Sequence, residues 1–166
     1  MDRTFHPQNV LQYCPRCGCG QFEPYGVKAS KCGTCGFVFY YNAATAVAAI
    51  IRDSQNHVLL TKRAFDPGKG TLDLPGGFVD ENEELETAAK RELFEETDIQ
   101  LFQVKQIKAY GNPTRDPRHH TISVAFMGEI DSLAEAKAKD DAKAVKWFSI
   151  EELPALAFDH AEIIRD

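Results

Sequence analysis

Residues 74–99 read LPGGFVDENEELETAAKRELFEETDI, a glycine-containing loop followed by a helical pattern. Apolar residues recur at helical spacing after the loop, which predicts an amphipathic helix over about residues 83–97. The apolar face comprises Leu85, Ala88, Ala89 and Leu93. A second face groups three carboxylates at positions i, i+3 and i+4, those of Glu92, Glu95 and Glu96. The segment therefore predicts a helix that buries one face and presents acids on another.

This segment is strongly acidic. Between Asp80 and Glu96 there are eight acids and two bases, a local charge of −6 that equals the net charge of the whole chain. Because like charges repel, a cation that neutralises the cluster favours it, and oxygen ligands suit a hard cation such as Mg²⁺ or Mn²⁺. A solvated acidic helix face is the alternative. It does not account for the adjacent Gly76-Gly77 pair, whose backbone can approach a phosphate or a metal closely.

The loop and helix resemble the Nudix box, whose pattern is G-x5-E-x7-R-E-U-x-E-E-x-G-U, with U a bulky apolar residue. Gly77, Glu83 and the run RELFEETDI at residues 91–99 match this pattern, and the resemblance extends over about residues 43–158. The one departure is Asp98, which replaces the last glycine of the box. Asp tolerates the left-handed backbone common after a helix end at a cost of about 1 kcal/mol, so we expect an intact site.

The resemblance implies an α+β fold, the Nudix α/β/α sandwich, and hydrolysis of a nucleoside diphosphate derivative with divalent cations. The family's metal ligands would correspond to Glu92, Glu95, Glu96 and the carbonyl of Gly77. One of these glutamates, or an acid of a later loop such as Asp140 or Asp141, would take the proton of the attacking water. Arg91 belongs to the same catalytic helix, and we expect it to brace that helix by pairing with Glu83 or Glu95.

All five cysteines lie within 22 consecutive residues. Four of them form two matching pieces, CPRCG at residues 14–18 and CGTCG at residues 32–36, with short strands expected at residues 21–26 and 37–41. Four thiolates complete a tetrahedral shell, which predicts a structural zinc site. Its ligands would be Cys14, Cys17, Cys32 and Cys35. Free thiols in a loop are the alternative, and Cys19 is either a bystander or a substitute for one ligand.

Residues outside the Nudix box must determine which substrate is bound. A zinc ribbon followed by a Nudix domain resembles the NADH pyrophosphatases, which also hydrolyse NAD-type caps on RNA. Their SQPWPFP signature is absent, since residues 109–115 read AYGNPTR. Residues 112–126, NPTRDPRHHTISVAF, instead resemble the ADP-ribose pyrophosphatases and related regulators. The resemblance favours hydrolysis of ADP-ribose to AMP and ribose 5-phosphate. The alternatives are NADH, NAD-capped RNA, another nucleoside diphosphate sugar and, less favoured, a non-catalytic nucleotide sensor.

Several residues of these loops offer groups that suit a nucleotide. The candidate substrate-binding residues are Phe65, Gly76, Gly77, Arg115, Arg118 and His119. The arginines and the histidine can donate to phosphate or ribose, and Phe65 or Tyr110 can stack on adenine. An ordinary solvent-facing turn and simple packing are the alternatives. Near the end of the chain, we expect Asp159 to cap a helix and His160 to cap or pack at its start.

The composition and charge of the chain limit its domain organisation and its possible partners. The chain has 166 residues, 43% of them apolar, and we expect a zinc ribbon over residues 1–40 and a Nudix hydrolase domain over residues 41–166. The net charge of −6 argues against general nucleic-acid binding and favours a ribbon that docks or dimerises, which leaves a homodimer open. The sequence has no long apolar run and no signal pattern, so we expect a cytoplasmic protein that does not bind a membrane. We expect its partner to be a small nucleotide substrate.

Overall fold

The computed structural model describes residues 7–130, 137–138 and 142–166. The chain forms two compact units, which divide between Ala43 and Ala44, beside the boundary expected after residue 40. The candidate late-loop acids Asp140 and Asp141 lie outside the described residues. No helix in the described parts of the chain is both long enough and apolar enough to span a membrane.

The first unit contains a small antiparallel sheet. Its elements are helix α1 (Pro7–Val10) and strands β1 (Phe22–Pro24), β2 (Ala29–Cys32) and β3 (Val38–Tyr40). The strands lie in the order β1-β2-β3, with Phe22 opposite Cys32 and Ala29 opposite Tyr40. Strands β1 and β3 fall within the two predicted segments. Strand β2 was missed because its sequence, ASKC, has neither the apolar alternation nor the branched residues of a typical strand.

The second unit is built on a six-stranded mixed sheet. Its strands are β4 (Ala44–Asp53), β5 (His57–Arg63), β6 (Leu72–Asp73), β7 (Lys105–Tyr110), β8 (Thr121–Ile130) and β9 (Ala142–Ser149). Its helical segments are α2 (Leu85–Thr97), a 3-10 turn (Ile150–Glu152) and α3 (His160–Arg165). The strand order is β6-β5-β4-β8-β7, and β9 pairs with β5. Strands β4 and β8 are parallel along their length, and the other pairs are antiparallel.

The two faces of the sheet are covered by different helices. Successive side chains of a strand point to opposite faces. In β4, Val47 clusters with Ala88 of α2, whereas the next residue, Ala48, clusters with Ile163 of α3. Strand β4 is therefore apolar along most of its length because both of its faces are buried. This arrangement confirms the predicted α/β/α sandwich.

The backbone conformations of the flanking residues determine where α2 begins and ends. Beyond Thr97 the chain turns through Asp98, which has a left-handed backbone with φ of 62° and donates its N–H to the carbonyl of Phe94 at 2.9 Å. The expected conformation of Asp98 is thus confirmed. The helix begins at Leu85, slightly later than predicted, because Glu84 at the N-cap has an extended backbone with ψ of 146°, outside the helical region.

Candidate active site and cysteine cluster

The glycine loop between β6 and α2 is fixed to the sheet by backbone hydrogen bonds. The N–H of Ala49 donates to the carbonyl of Pro75 at 2.7 Å, and the N–H of Val47 donates to the carbonyl of Gly77 at 2.9 Å. Because a carbonyl oxygen has two lone pairs, that of Gly77 can still accept a second partner. The sheet therefore sets the position of the loop beside the carboxylates of α2.

A close backbone contact requires glycine at position 76, and Gly77 packs against a side chain of α2. Gly76 has a φ of 153°, and a Cβ atom there would lie 2.1 Å from the carbonyl oxygen of Val47. A Cβ atom on Gly77 would lie 2.5 Å from the carboxylate of Glu92. Glu96 also reaches the loop, since its carboxylate accepts the N–H of Gly76 at 3.2 Å. Two of the three predicted metal-site glutamates thus pack directly against the glycine pair.

Arg91 is the centre of the ion-pair network on α2. Its guanidinium donates to Glu83 at 2.8 Å, to Glu92 at 2.7 Å and to Glu95 at 3.0 Å. It also donates to the carbonyl of Phe78 at 3.1 Å, which connects the helix to the end of the glycine loop. This is the bracing geometry expected from the sequence, with Glu92 as an additional partner.

The network shifts the acidity of its members in opposite directions. The hydrogen bonds from Arg91 lower the pKa of Glu83 to about 2. Burial raises the pKa of Glu92 above its ordinary value, although the bonds from Arg91 oppose that shift. Solvent therefore stabilises the charge of Glu92 poorly where it packs against the loop, so an additional cation beside it would be favoured.

The three glutamates supply oxygen ligands, but they do not yet converge. Among the described residues, only the four cysteines bring three or more metal-type ligand atoms within 4.8 Å of one another. The carboxylates of Glu92 and Glu95 are instead paired with Arg91, and that of Glu96 accepts from Gly76. The donor chemistry suits a hard divalent cation, and binding one would require these side chains to move towards each other.

A cavity of about 360 Å³ lies over this helix and loop. The predicted residues in its wall are Phe65, Gly76, Gly77, Glu92, Glu95, Glu96, Arg115 and Arg118. Arg91 and His119 are not among its lining residues. The ring of His119 lies 5.8 Å from that of Phe78, and its Nδ1 is 3.1 Å from the hydroxyl of Thr121. The structure therefore brings together most of the predicted site and leaves Arg91 and His119 outside the cavity lining.

Arg115, which the sequence predicts to bind phosphate or ribose, forms hydrogen bonds to other residues of the chain. Its guanidinium donates two hydrogen bonds to Asp159, at 2.7 and 2.5 Å, and a third to the hydroxyl of Ser123 at 2.6 Å. The side chain is only 5% exposed. Asp159 does occupy the N-cap position of α3, but its carboxylate makes no capping hydrogen bond because it is held by Arg115. The geometry assigns Arg115 a role in holding the wall.

Arg118 remains more accessible. It pairs with Asp116 of the same loop at 2.7 Å, and its guanidinium lies 5.0 Å from the centre of the Phe78 ring. Burial of Asp116 would raise its pKa, but the hydrogen bonds from Arg118 outweigh burial and lower it. Arg118 is 39% exposed and lines the cavity. Tyr110, by contrast, is buried and donates its hydroxyl to Asp166, so it is not available to stack on adenine.

Sequence reasoning missed a second group of cavity residues, which comes from β5, β6 and the turn before α3. Arg63 pairs with Asp73 at 2.7 Å, and its guanidinium lies 4.9 Å from the centre of the Phe158 ring. Phe158 itself has a left-handed backbone, with φ of 52°. The Nδ1 of the adjacent His160 accepts the N–H of Leu74 at 2.9 Å, and burial lowers the pKa of His160 to about 4. No single local motif joins these residues, because they meet only in the folded chain.

The four predicted cysteines converge in the first unit. The Sγ atoms of Cys14 and Cys35 are 3.7 Å apart, and those of Cys17 and Cys32 are 3.6 Å apart. A tetrahedral zinc site with bonds of about 2.3 Å requires sulfur separations of about 3.8 Å, so this donor set fits Zn²⁺. The N–H of Cys35 donates to the sulfur of Cys32 and lowers its pKa, which favours the thiolate form of this ligand. Cys19 is not part of the cluster and lies 2.9 Å from the hydroxyl of Thr34.

Comparison with known proteins agrees with this geometry. The model of the NUDIX domain family matches residues 43–166. The chain belongs to the Nudix family. The ADP-ribose pyrophosphatase of Methanocaldococcus jannaschii is 45% identical over 128 residues, which cover 76% of this chain and 74% of that protein. These matches confirm the predicted Nudix hydrolase and its similarity to ADP-ribose pyrophosphatases.

Two further Nudix proteins extend the comparison. The NUDIX domain of Shewanella oneidensis NrtR, solved in complex with ADP ribose, has a TM-score of 0.69 at 30% identity and covers 76% of this chain and 86% of that one. The NAD-capped RNA hydrolase NudC of Vibrio parahaemolyticus is 28% identical over 92% of this chain and 56% of that protein. The chain thus spans about half the length of such hydrolases.

Proposed function

We propose that this Nudix hydrolase cleaves the pyrophosphate bond of ADP-ribose, giving AMP and ribose 5-phosphate. The observation that carries the proposal is the composition of one cavity. Carboxylates of α2, the glycine loop, aromatic rings and arginines all line a space of about 360 Å³, a size that suits a small ligand. The similarity to ADP-ribose pyrophosphatases supports the choice of ADP-ribose among nucleoside diphosphate derivatives.

Glu92, Glu95, Glu96 and the carbonyl of Gly77 would hold Mg²⁺ or Mn²⁺. When bound, such cations acidify a water molecule and neutralise the charge of a pyrophosphate. The fit rests on an all-oxygen donor set and on the contacts of Glu92 and Glu96 with the glycine loop. One of these glutamates, or an acid of the late loop, would take the proton from water.

Arg91 would act as a positioning residue. It contacts Glu83, Glu92 and Glu95 at once, and it is not among the residues that line the cavity. Its charge offsets the repulsion between the carboxylates while no cation is bound. We therefore assign it to the orientation of the metal-site glutamates and not to contact with the substrate.

The nucleotide would be held by the aromatic and cationic residues of the wall. Phe65 is 61% exposed and offers its ring to a base, and Phe78 and Phe158 also line the cavity. Arg118 lies over the ring of Phe78 while still lining the cavity, so it can donate to a phosphate from a fixed position. Gly76 and Gly77 allow the backbone to approach the phosphates closely.

The cysteine cluster would bind Zn²⁺ as a structural site, because four sulfur ligands leave no open position for chemistry. In the first unit, Cys14 and Cys32 are buried in a small apolar cluster with Phe22. A core of this size needs the metal to stay folded. Unbridged thiols are also consistent with a reducing compartment such as the cytoplasm.

A second candidate substrate is NAD-capped RNA. The observation in its favour is that the NudC hydrolase aligns with 92% of this chain, a larger share than the archaeal ADP-ribose pyrophosphatase covers. The observation against it is the sequence AYGNPTR at residues 109–115, where the corresponding signature of NADH pyrophosphatases is missing.

Turnover on ADP-ribose, NADH, NAD⁺, UDP-glucose and an NAD-capped RNA tests the proposal, measured as the phosphate that an added phosphatase releases from the phosphomonoester products. The assays are run with Mg²⁺, with Mn²⁺ and after chelation. We expect ADP-ribose to have the highest kcat/KM and chelation to abolish turnover. A higher kcat/KM for NADH or capped RNA would show that the missing signature is a poor guide, and inactivity on every substrate would contradict the hydrolase assignment.

A further inference from the structure

The small sheet of the first unit has one face that is not used to build the cysteine cluster. Cross-strand partners share a face of a sheet, and neighbours along a strand alternate between faces. Phe22 and Cys32 are partners, and both are buried in the cluster. The adjacent positions therefore point to the other face, which we call the tyrosine face.

The tyrosine face carries two exposed aromatic rings around Ala29, which is itself buried. Lys31 pairs with Val38 and Ala29 pairs with Tyr40, so both pairs lie on it. Tyr25 extends the same face, since it follows Glu23, the partner of Lys31, by two residues and donates its N–H to Ala29 at 2.8 Å. Tyr25 and Tyr40 are 55% and 60% exposed. Because strands are spaced by about 4.8 Å, the two tyrosines stand about 10 Å apart, on either side of Ala29.

A cation lies on this face together with the rings. The Nζ atom of Lys31 is 5.3 Å from the centre of the Tyr25 ring. Glu23, its cross-strand partner, is the one acid among the described strand positions of the face. A lysine held over an exposed ring combines a charge for a phosphate with a flat surface for a base.

The two units of the chain have net charges of opposite sign. Residues 1–43 contain four Lys and Arg against two Asp and Glu, a net charge of +2. Residues 44–166 contain 15 against 23, a net charge of −8. The net charge of −6 argues against nucleic-acid binding only when it is taken over the whole chain. The first unit alone has the sign that attracts phosphate.

We propose that the tyrosine face binds single-stranded RNA, with bases stacked on Tyr25 and Tyr40 and the backbone phosphate paired with Lys31. Single strands are recognised by aromatic rings along a basic surface, because every base presents a π face. Each tyrosine also carries a hydroxyl that can hydrogen-bond a ribose 2′-OH, which DNA lacks. A face of three short strands contacts only a few nucleotides, so binding should be weak and sensitive to salt. This inference does not depend on the substrate of the cavity.

Fluorescence anisotropy with the full-length, zinc-loaded protein tests the proposal. The probe is a labelled, unstructured RNA of about ten nucleotides without a nucleotide cap. Tyr25→Leu and Tyr40→Leu keep apolar bulk but remove the π face, and each should weaken binding about tenfold. Lys31→Gln should weaken binding and reduce the slope of log affinity against log salt by about one.

Matched controls lie on the second unit. Phe102→Leu removes a ring that is 97% exposed, and Lys90→Gln removes a positive charge; neither should change RNA affinity. Zinc content and ADP-ribose turnover show whether each variant is folded. Absence of RNA binding at low salt, equal loss in the Phe102 control, or equal affinity for DNA of the same sequence would overturn the proposal. A wild-type dimer that the tyrosine variants convert to a monomer, without RNA binding, would show that the face joins two copies of the chain.

Discussion

The guanidinium of Arg115 and the carboxylate of Asp159 form an ion pair with two parallel hydrogen bonds, at 2.7 and 2.5 Å. Both side chains are largely buried, at 5% and 18% exposure. Asp159 is flanked by Phe158 and His160, and both neighbours line the cavity. The pair therefore ties the loop before β8 to the turn that forms one part of the cavity wall.

Replacing Asp159 by Asn should destabilise the second unit. The variant leaves the charge of Arg115 buried without its partner, which typically costs about 3–5 kcal/mol. Urea denaturation monitored by Trp147 fluorescence measures the loss. Lys108→Gln is the control, because its pair with Asp166 is exposed and should contribute nothing measurable. Unchanged stability with a KM for ADP-ribose raised tenfold or more would instead mean that this pair contacts the substrate.

Replacing Glu95 or Glu96 by Gln should abolish most of the turnover while the fold is retained. Each substitution removes a negatively charged ligand from the proposed cation site, and we expect kcat to fall by more than about a hundredfold. Glu86→Gln is a matched control on the exposed side of the same helix. Titration of Mg²⁺ in each variant shows whether the loss follows cation binding. Full turnover in either variant would refute the assignment of these glutamates.

The predictable part of the site is the part that one continuous segment encodes. The glycine pair, α2 and its carboxylates lie within residues 74–99, so helical periodicity and the Nudix box were sufficient to place them. Asp98 was also predictable, because the backbone conformation after a helix end depends on local geometry. The same holds for the cysteines, whose spacing reports a shared ligand shell.

The remaining part depends on contacts between distant segments. Arg115 and Asp159 are 44 positions apart, and nothing in either neighbourhood marks the other as a partner. The sequence therefore predicts Arg115 as a substrate ligand and gives no sign that three of its five N–H donors are used within the fold. The contact of Arg63 with Phe158 joins β5 to the turn before α3 and is equally invisible to a local pattern.

His160, which is partly buried in the cavity wall, should make the stability of the second unit depend on pH. Its pKa is lowered from 6.5 to about 4 in the folded chain, because burial disfavours the charged form. Between these values the unfolded chain binds a proton that the folded chain does not, so stability should fall as the pH drops from about 6.5 to about 4, by up to about 3 kcal/mol. His160→Asn retains an acceptor for the N–H of Leu74 and should flatten this slope in urea denaturation curves.

The exposed His120 supplies the control for that experiment. His120→Asn removes an exposed ring away from the cavity wall and should retain the wild-type pH dependence. An unchanged slope in His160→Asn would show that another group is responsible for the fall in stability.

The geometry of the cysteine cluster predicts which cysteines are needed for zinc binding. Cys32→Ser removes a buried ligand and should abolish zinc binding, whereas Cys19→Ser should leave about one zinc ion per chain, because Cys19 lies outside the group of converging sulfur atoms. Zinc content by atomic emission gives the stoichiometry, and limited proteolysis reports whether residues 7–43 remain folded. The first unit has a small buried cluster, so we expect it to become protease-sensitive when the metal is lost. Loss of zinc in the Cys19 variant would mean that this thiol takes part in the ligand shell.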